Sequence, residues 1–346
     1  MPQMQHHNTW NGTGTPIRGG VSRTYPFQTR SQTFSYKDYT VGWICALPIE
    51  MATARAMLDE VHVDLPALKF DDNTYILGRI CSHNIVITCL PTGVYGAVTA
   101  ATVATRLLST FQSIRFGLMV GIGGGVPNHL DIRLGDVVVG KPTGQSGGVV
   151  ECDLDFEHTK TLNKPPYVLL NALSKLQANH LVNGNRISVL LSNMLNNHPL
   201  MRDSITPGER DQLFCPDDKH HGPPGSCNHC DEHQLLTRAP RSTNSPQIHY
   251  GLIACVTHVV RDGAIRDRLA RQLGNLCFEM EASGLMDNFP CLVIRGISDY
   301  ADSHKNDHWQ GYAAATAAAY AKDLLSVIPP AEVENERKVS QLYSRP

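Results

Sequence analysis

Two segments near the C-terminal end carry acidic residues at the edge of apolar runs: Cys277-Phe278-Glu279-Met280-Glu281-Ala282 and Val293-Ile294-Arg295-Gly296-Ile297-Ser298-Asp299-Tyr300-Ala301-Asp302. A carboxylate buried in such a place is costly unless a partner or a ligand satisfies it. These positions are therefore candidates for acid–base work or for holding a ligand. Pro290-Cys291-Leu292-Val293-Ile294 is short, apolar and rich in β-branched residues, and reads as a buried strand of a parallel sheet. Ser298 and Asp299 then fall just past its carboxyl end, where ligands bind in open α/β sheets. On these residues alone, Asp299 could equally cap a following helix or pair with Arg295. A further acid, Glu50, stands in the first turn of a helix opened by Pro48, a position that ordinary helices also fill with Glu.

The elements that must position these groups alternate in the α/β manner. A strand through Val41-Gly42-Trp43-Ile44-Cys45-Ala46-Leu47 leads into the Pro48 helix. Tyr75 to Ile80 and Ile85 to Leu90 read as a strand pair, followed by Gly93-Val94-Tyr95-Gly96 and an Ala/Thr/Val-rich helix to Leu108. Phe116 to Ile122 runs as a strand straight into Gly123-Gly124-Gly125, and Val137-Val138-Val139 and Gly148-Val149-Val150 supply further strands. Pro166 to Leu181 is helical, Ile248 to Cys255 restores the strand pattern, Asp262 to Leu273 is an amphipathic helix and Gly311 to Leu325 an Ala-rich closing helix. The alternation predicts an α/β fold: a single domain over residues 38–328 with a central mixed, mainly parallel twisted sheet flanked by helices. Residues 1–37 lack Asp and Glu and are rich in Gly, Thr, Ser and Gln, and read as a disordered leader. Residues 183–246 read as a loop-rich insertion, and 329–346 as a polar, frayed tail.

The 346-residue chain is 42% hydrophobic and 18% charged with net charge −2, so it has no global electrostatic pull toward nucleic acid or membrane. Small molecules are the expected partners. No run approaches the roughly 18 apolar residues of a membrane helix, and the N-terminus has no signal-peptide core, so a cytoplasmic location is expected. Cysteines such as Cys45, Cys81, Cys89, Cys255 and Cys291 then read as reduced, buried small hydrophobes. The exception is a cluster of Cys215, His220, His221, Cys227, His229, Cys230 and His233, in which Cys227-Asn228-His229-Cys230 has metal-ligand spacing. A four-ligand structural zinc could be assembled from Cys227, Cys230, His221 and His233; an ordinary loop is the alternative. No other cofactor is implied.

Taken together, the elements resemble the nucleoside phosphorylase and nucleosidase superfamily, in the branch near methylthioadenosine nucleosidase and the fungal proteins that carry this domain. The resemblance covers about residues 39–328 and rests on six motifs in family order. These are Ile44-Cys45-Ala46-Leu47-Pro48-Ile49-Glu50, Thr92-Gly93-Val94-Tyr95-Gly96, Val120-Gly121-Ile122-Gly123-Gly124-Gly125-Val126, Leu134-Gly135-Asp136-Val137-Val138-Val139, Phe278-Glu279-Met280-Glu281-Ala282 and Arg295-Gly296-Ile297-Ser298-Asp299. The resemblance implies cleavage of an N-glycosidic bond, which builds positive charge on ribose and negative charge on the departing purine. It implies Asp299 as the leaving-group acid at purine N7, positioned by Ser298, and Glu281 on the ribose hydroxyls above Met280. Glu279 belongs to the same network or is a helix-start acid. Thr92, Gly93, Tyr95 and Gly123 are placed against the substrate, and Val259 and Val260 in the base pocket, where the nucleosidases use an aromatic. Stacking would then come from elsewhere, for example Phe156 or Tyr95.

The acceptor separates hydrolysis from phosphorolysis. The arginines that a phosphorylase of this superfamily places after its first strand and in its Gly-rich turn are missing, and a dianionic phosphate normally demands Arg or Lys. Glu50 matches instead the Glu with which methylthioadenosine nucleosidases deprotonate water, although Arg55 further along that helix could still reach an anion. The expectation is a purine nucleoside hydrolase acting on adenosine-type ribonucleosides. A phosphate-dependent phosphorylase and a nucleoside-sensing module without turnover are the alternatives. The absence of a nucleotide-binding module or repeat array after the last helix favours an enzyme. A homo-oligomer is carried over from the resemblance alone.

Overall fold

The computed structural model describes residues 34–153, 159–207, 210–223 and 225–342. Most of the expected leader and the end of the tail lie outside the described residues. The N-terminal half supplies β1 (Val41–Cys45), α1 (Pro48–Ala56), β2 (Glu60–Val61), β3 (Tyr75–Ile80), β4 (His83–Cys89), α2 (Ala97–Thr110), β5 (Phe116–Gly125), β6 (Val137–Gly140), β7 (Val149–Cys152) and β8 (Thr159–Thr161). Then follow α3 (Tyr167–Asn183), α4 (Ile187–Asn197), α5 (Arg202–Ile205), β9 (Ile248–Val256), α6 (Gly263–Leu273), β10 (Asn275–Glu279), β11 (Cys291–Asp299), α7 (Gln310–Ser326), α8 (Pro330–Asn335) and α9 (Val339–Leu342).

The strands form one mixed sheet in the order β2-β3-β4-β1-β5-β11-β6-β9-β7-β8, with β10 off this path, pairing β5 and β9. At its centre β4, β1, β5 and β11 run parallel. Their apolar runs are buried along their whole length, as strands covered on both faces must be. Antiparallel pairing enters through the β3–β4 hairpin, through β6 beside β11 and through β10 beside β5. Cys81 falls in the turn of that hairpin and is exposed, not buried as its apolar surroundings in the sequence suggest. The single α/β domain with a mixed sheet and flanking helices is therefore as the sequence pattern predicts.

Two features of the sheet set up the site. β5 runs on as strand through Gly123, Gly124 and Gly125, three residues beyond Ile122, where the sequence pattern ends it. β11 likewise does not stop before Ser298; it continues through Asp299, with a shift of register against β5 between Ile297 and Asp299. A bulge of this kind re-aims side chains, so Ser298 and Asp299, neighbours that a regular strand would point to opposite faces, both reach the same cleft.

Residues 183–246 are not loop throughout. Ile187, Leu190, Leu191 and Met194 bury one face of α4 in the main core, where α7 also lies. The i, i+3, i+4, i+7 spacing of these residues carries the signal, beneath a surface of Ser and Asn. The far end of the segment is tied to the sheet by Asp136 at the start of β6. Its buried carboxylate accepts from both Arg241 Nη1 and Nη2 at 2.7 Å, from His249 Nε2 at 2.9 Å and from the Gln247 N–H at 2.9 Å. The first part of the tail also packs: Val333 and Val339 are buried, and the Val339 N–H donates to the Ile114 carbonyl at 2.9 Å.

The alanines of α7 let that helix lie close against the sheet. At Gly296 of β11 an added Cβ would stand 1.8 Å from the Ala313 carbonyl oxygen, backbone that cannot swing aside. Gly296→Ala is accordingly expected to lower stability by about 2–3 kcal/mol through overpacking, read as an earlier urea midpoint with an unchanged slope. A midpoint within error of the parent protein would show that α7 does not press on β11 in this way.

Candidate active site

A cleft of about 450 Å³ opens at the carboxyl ends of β1, β5 and β11. Glu50 stands on one wall. As the third residue of α1 its carboxylate folds back over the helix start, Oε2 accepting from the N–H groups of Ala46 at 2.7 Å and Leu47 at 3.0 Å. So far this is the work of an ordinary helix-start Glu. Its Oε1, however, accepts from the Ile122 N–H of β5 at 2.8 Å, so the same carboxylate bridges helix and sheet. Three of its roughly four lone-pair sites are used, leaving one toward the cleft. Burial pushes the Glu50 pKa above the ordinary carboxylate value, against the opposing pull of Arg295 and the three N–H groups.

Arg295 lies at the floor, 1% exposed. Its guanidinium pairs with Glu279 and stands 3.3 Å from Glu281 Oε2, and its Nη1 donates to the Ile122 carbonyl at 3.3 Å. Glu279 in turn accepts from the N–H groups of Glu281 at 3.1 Å and Ala282 at 3.0 Å, which holds the Glu-Met-Glu segment in its turn. Glu279 is thus the group that ties the turn to Arg295, while Glu281 meets Arg295 at the longer distance and lines the cleft. Burial, together with the Glu279 and Glu50 carboxylates and against the pull of Arg295, lifts the Glu281 pKa to about 7. The same three acids hold Arg295 firmly protonated in spite of its burial. Gly121 makes room for this cluster: a Cβ there would lie 2.6 Å from both Glu50 Oε1 and Arg295 Nη1. The glycine is needed for the protein's own charged groups rather than for a ligand.

Asp299 also lines the cleft. Its Oδ2 accepts from Ser298 Oγ at 2.8 Å and pairs with Lys305 Nζ, and its Oδ1 accepts from the Ala301 N–H at 2.9 Å. Neither Arg295 nor a following helix is its partner. Met280, Tyr95, Gly123, Val259 and Val260 also line the cleft. Thr92 and Gly93 do not; both are exposed in the turn before α2. Arg55 is exposed on α1 and is not part of the wall, and Phe156 lies outside the described residues. The sequence does not single out Phe278, Arg261 or Lys305, all of which line the cleft. Phe278 offers the ring that Val259 and Val260 lack. The Cys/His loop lies elsewhere, and there His220, not His221 or His233, joins Cys227 and Cys230. His221 meets Cys230 Sγ through its backbone carbonyl, and His233 stands in a short turn capped by Asp231.

The strand ends of this α/β sheet thus gather Glu50, Glu281 and Asp299 around one cleft. Residues 40–328 match the model of the phosphorylase superfamily, and the chain belongs to that family. It is 41% identical over 327 residues to a nucleotide-binding leucine-rich repeat (NLR)-like protein of Hyaloscypha variabilis, covering 92% of this chain but only 32% of that relative's length. It is 27% identical over 306 residues to a 5'-methylthioadenosine/S-adenosylhomocysteine nucleosidase of Mycobacterium bovis, covering 84% of this chain and 97% of the relative. It is 24% identical to the ATP nucleosidase Cap17 of Escherichia coli over 82% of this chain and 50% of that protein. Among solved structures, the 5'-methylthioadenosine/S-adenosylhomocysteine nucleosidase of Neisseria meningitidis in complex with methylthio-immucillin-A superposes with a TM-score of 0.53 at 16% identity, over 83% of this chain and 98% of that one. No described helix is long and apolar enough to cross a membrane.

Arg295→Met would leave buried carboxylates without their cation and is expected to cost about 3–5 kcal/mol by urea unfolding, with Lys substitution recovering only part. A loss under about 1 kcal/mol would mean that the cluster is not buried as described. Glu281 gives a pH signature. Folded, it keeps its proton up to about pH 7; unfolded, it releases it near 4.5. Its contribution is complete below the unfolded value and is lost as pH rises through the folded one. The melting temperature should therefore fall between about pH 5 and about pH 8, and fall less in Glu281→Gln. Equal slopes in the two proteins would assign the titration to another group.

Proposed function

We propose that the chain is a purine nucleoside hydrolase that releases the base from adenosine-type ribonucleosides by water attack. The observation that carries this reading is the Glu50 carboxylate: buried, fixed by three backbone N–H groups, raised in pKa and left with one free acceptor site in the cleft it shares with Asp299. Such a group takes a proton from water as the oxygen attacks C1′. The C1′–N9 bond breaks with its electron pair going to the purine, and Asp299 delivers a proton to N7. The contacts of Asp299 with Lys305, Ser298 and the Ala301 N–H suit the carboxylate that remains after that transfer. Glu281 accepts from the ribose hydroxyls and, when ionised, favours the cationic sugar. Met280 packs beneath that sugar. Three carboxylates around one guanidinium make a poor seat for dianionic phosphate, which favours hydrolysis over phosphorolysis.

One observation favours a 5′-phosphorylated substrate within the same chemistry. Arg261 is exposed at the cleft and has no hydrogen bond or ion pair among the described residues. A phosphate chain on the ribose would meet that charge, and one relative is an ATP nucleosidase. A binding module without turnover is the rival outside enzymes, given the NLR-like relative of which this chain spans about a third. A homo-oligomer is also proposed, to be read from the mass in solution.

Base release from adenosine, inosine, guanosine and ATP, in buffer without phosphate and then with it, separates these readings. Release without phosphate is expected, falling about 10²–10⁴-fold in Asp299→Asn and in Glu50→Gln. Arg261→Ala should raise KM for ATP and leave adenosine unchanged if phosphate is recognised there. Release that requires phosphate would make the protein a phosphorylase, and tight binding without release would make it a sensor.

A further inference from the structure

We propose that His220, Cys227 and Cys230 bind a zinc ion that clamps the loop of residues 215–236 onto the segment following Asp299. The ligand atoms of these three side chains lie within 4.8 Å of one another. Around a single zinc, with bonds of about 2.3 Å to sulfur and about 2.0 Å to nitrogen, ligand atoms stand about 3.5–3.8 Å apart, so a small closure completes the set. Local geometry already prepares it. The Cys230 N–H donates to the Cys227 carbonyl at 3.1 Å, a turn that carries the two thiols to one side, and His220 Nε2 lies 2.9 Å from the Ser226 carbonyl. Cys227 and Cys230 also border a hollow of about 540 Å³, which leaves the fourth tetrahedral position open to solvent. The ring of His304, 7% exposed and stacked on Phe214 with 3.9 Å between ring centroids, lines the same hollow and stands edge-on to His220 at a centroid distance of 5.7 Å.

The loop needs such a clip. Its base is closed by the Phe214–Leu235 bridge and by the hydrogen bonds of Cys215 N to Gln234 O and Leu236 N to Leu213 O, both 2.8 Å. Between them, among the described residues, the only regular structure is the short turn at Glu232–Gln234. A structureless loop of this length is entropically expensive to hold, and a metal that ties its two arms together removes much of that freedom. The anchored loop then grips the segment after β11. The His220 N–H donates to Ser303 Oγ at 2.9 Å, His304 Nε2 stands 3.2 Å from Asp218 Oδ2, and His308 Nε2 lies 2.7 Å from the Gly225 carbonyl. That segment carries Lys305, the partner of Asp299. The metal is structural in this account; it touches no substrate and holds in place the chain that presents the ammonium group.

Metal analysis of the purified full chain by plasma mass spectrometry tests the site. One equivalent of zinc is expected, lost in Cys227→Ser, Cys230→Ser and His220→Ala and kept in His221→Ala, His233→Ala and Cys81→Ser. Reconstitution with cobalt(II) should give the visible bands of a tetrahedral thiolate site. Chelation of the parent protein should lower its melting temperature by about 5 °C or more, a readout independent of the variants' folding. Several results would overturn the proposal: parent protein without metal, zinc retained by both cysteine variants, or a Cys227–Cys230 disulfide in protein prepared without reductant. Zinc lost from His221→Ala but not from His220→Ala would overturn the ligand set.

Discussion

A guanidinium buried beneath three carboxylates is the constraint around which the rest of this structure is arranged. Arg295 sits on the central strand β11 and is 1% exposed. A cation removed from water in that way persists only if several anions and acceptors surround it. Those anions come from distant parts of the chain: Glu279 and Glu281 from the end of β10 and the turn after it, Glu50 from α1. The pairing therefore pins β10, β11, β5 and α1 to one another at the ends of their strands. It also obliges β5 to carry Gly121, since any side chain there would collide with the charges it lies against.

The same arrangement divides the acids by function. Glu279 spends its acceptor capacity on Arg295 and on the backbone of its own turn, so it is saturated and inward. Glu50 and Glu281 are each left partly unsatisfied toward the cleft, and both are raised in pKa by burial. One cation shared among three acids is too little to quiet all of them. In the proposed reaction those two acids, once ionised, would face the sugar as it gains positive charge.

Much of this was legible in the sequence, because strands with unbroken apolar runs, glycines at strand ends and Pro at a helix start have local causes. β1, β4, β9 and α6 fall almost where the pattern predicts them, α6 starting one residue later because Asp262 caps it. What was not legible was non-local. The partner of Arg295 is fixed by sheet pairing, not by spacing along the chain, and nothing near Arg295 in sequence announces Glu279. The bulge that turns both Ser298 and Asp299 into the cleft arises from register against β5. Lys305 lies in an irregular segment with no periodicity to place it, and the choice of His220 over its neighbour His221 depends on which way one residue of a loop points. α4 was hidden for a different reason: polar residues on its outer face mask an apolar stripe that only the core makes meaningful.

The distribution of charge across the cleft also bears on what can enter it. On the proposed reading Glu50 and Glu281 face the ribose, while the two other cations that line the cleft, Lys305 and Arg261, lie outside that cluster. Lys305 is already committed to Asp299, and Arg261 lies at an exposed position. A free phosphate approaching C1′ would have to pass between carboxylates with no uncommitted cation beside it among the described residues, whereas water needs only the one remaining acceptor site on Glu50. A phosphate joined to the far end of the sugar would avoid that repulsion, because its charge would fall where Arg261 is available. On that reading the site opposes an anion as nucleophile and accommodates an anion as part of the substrate.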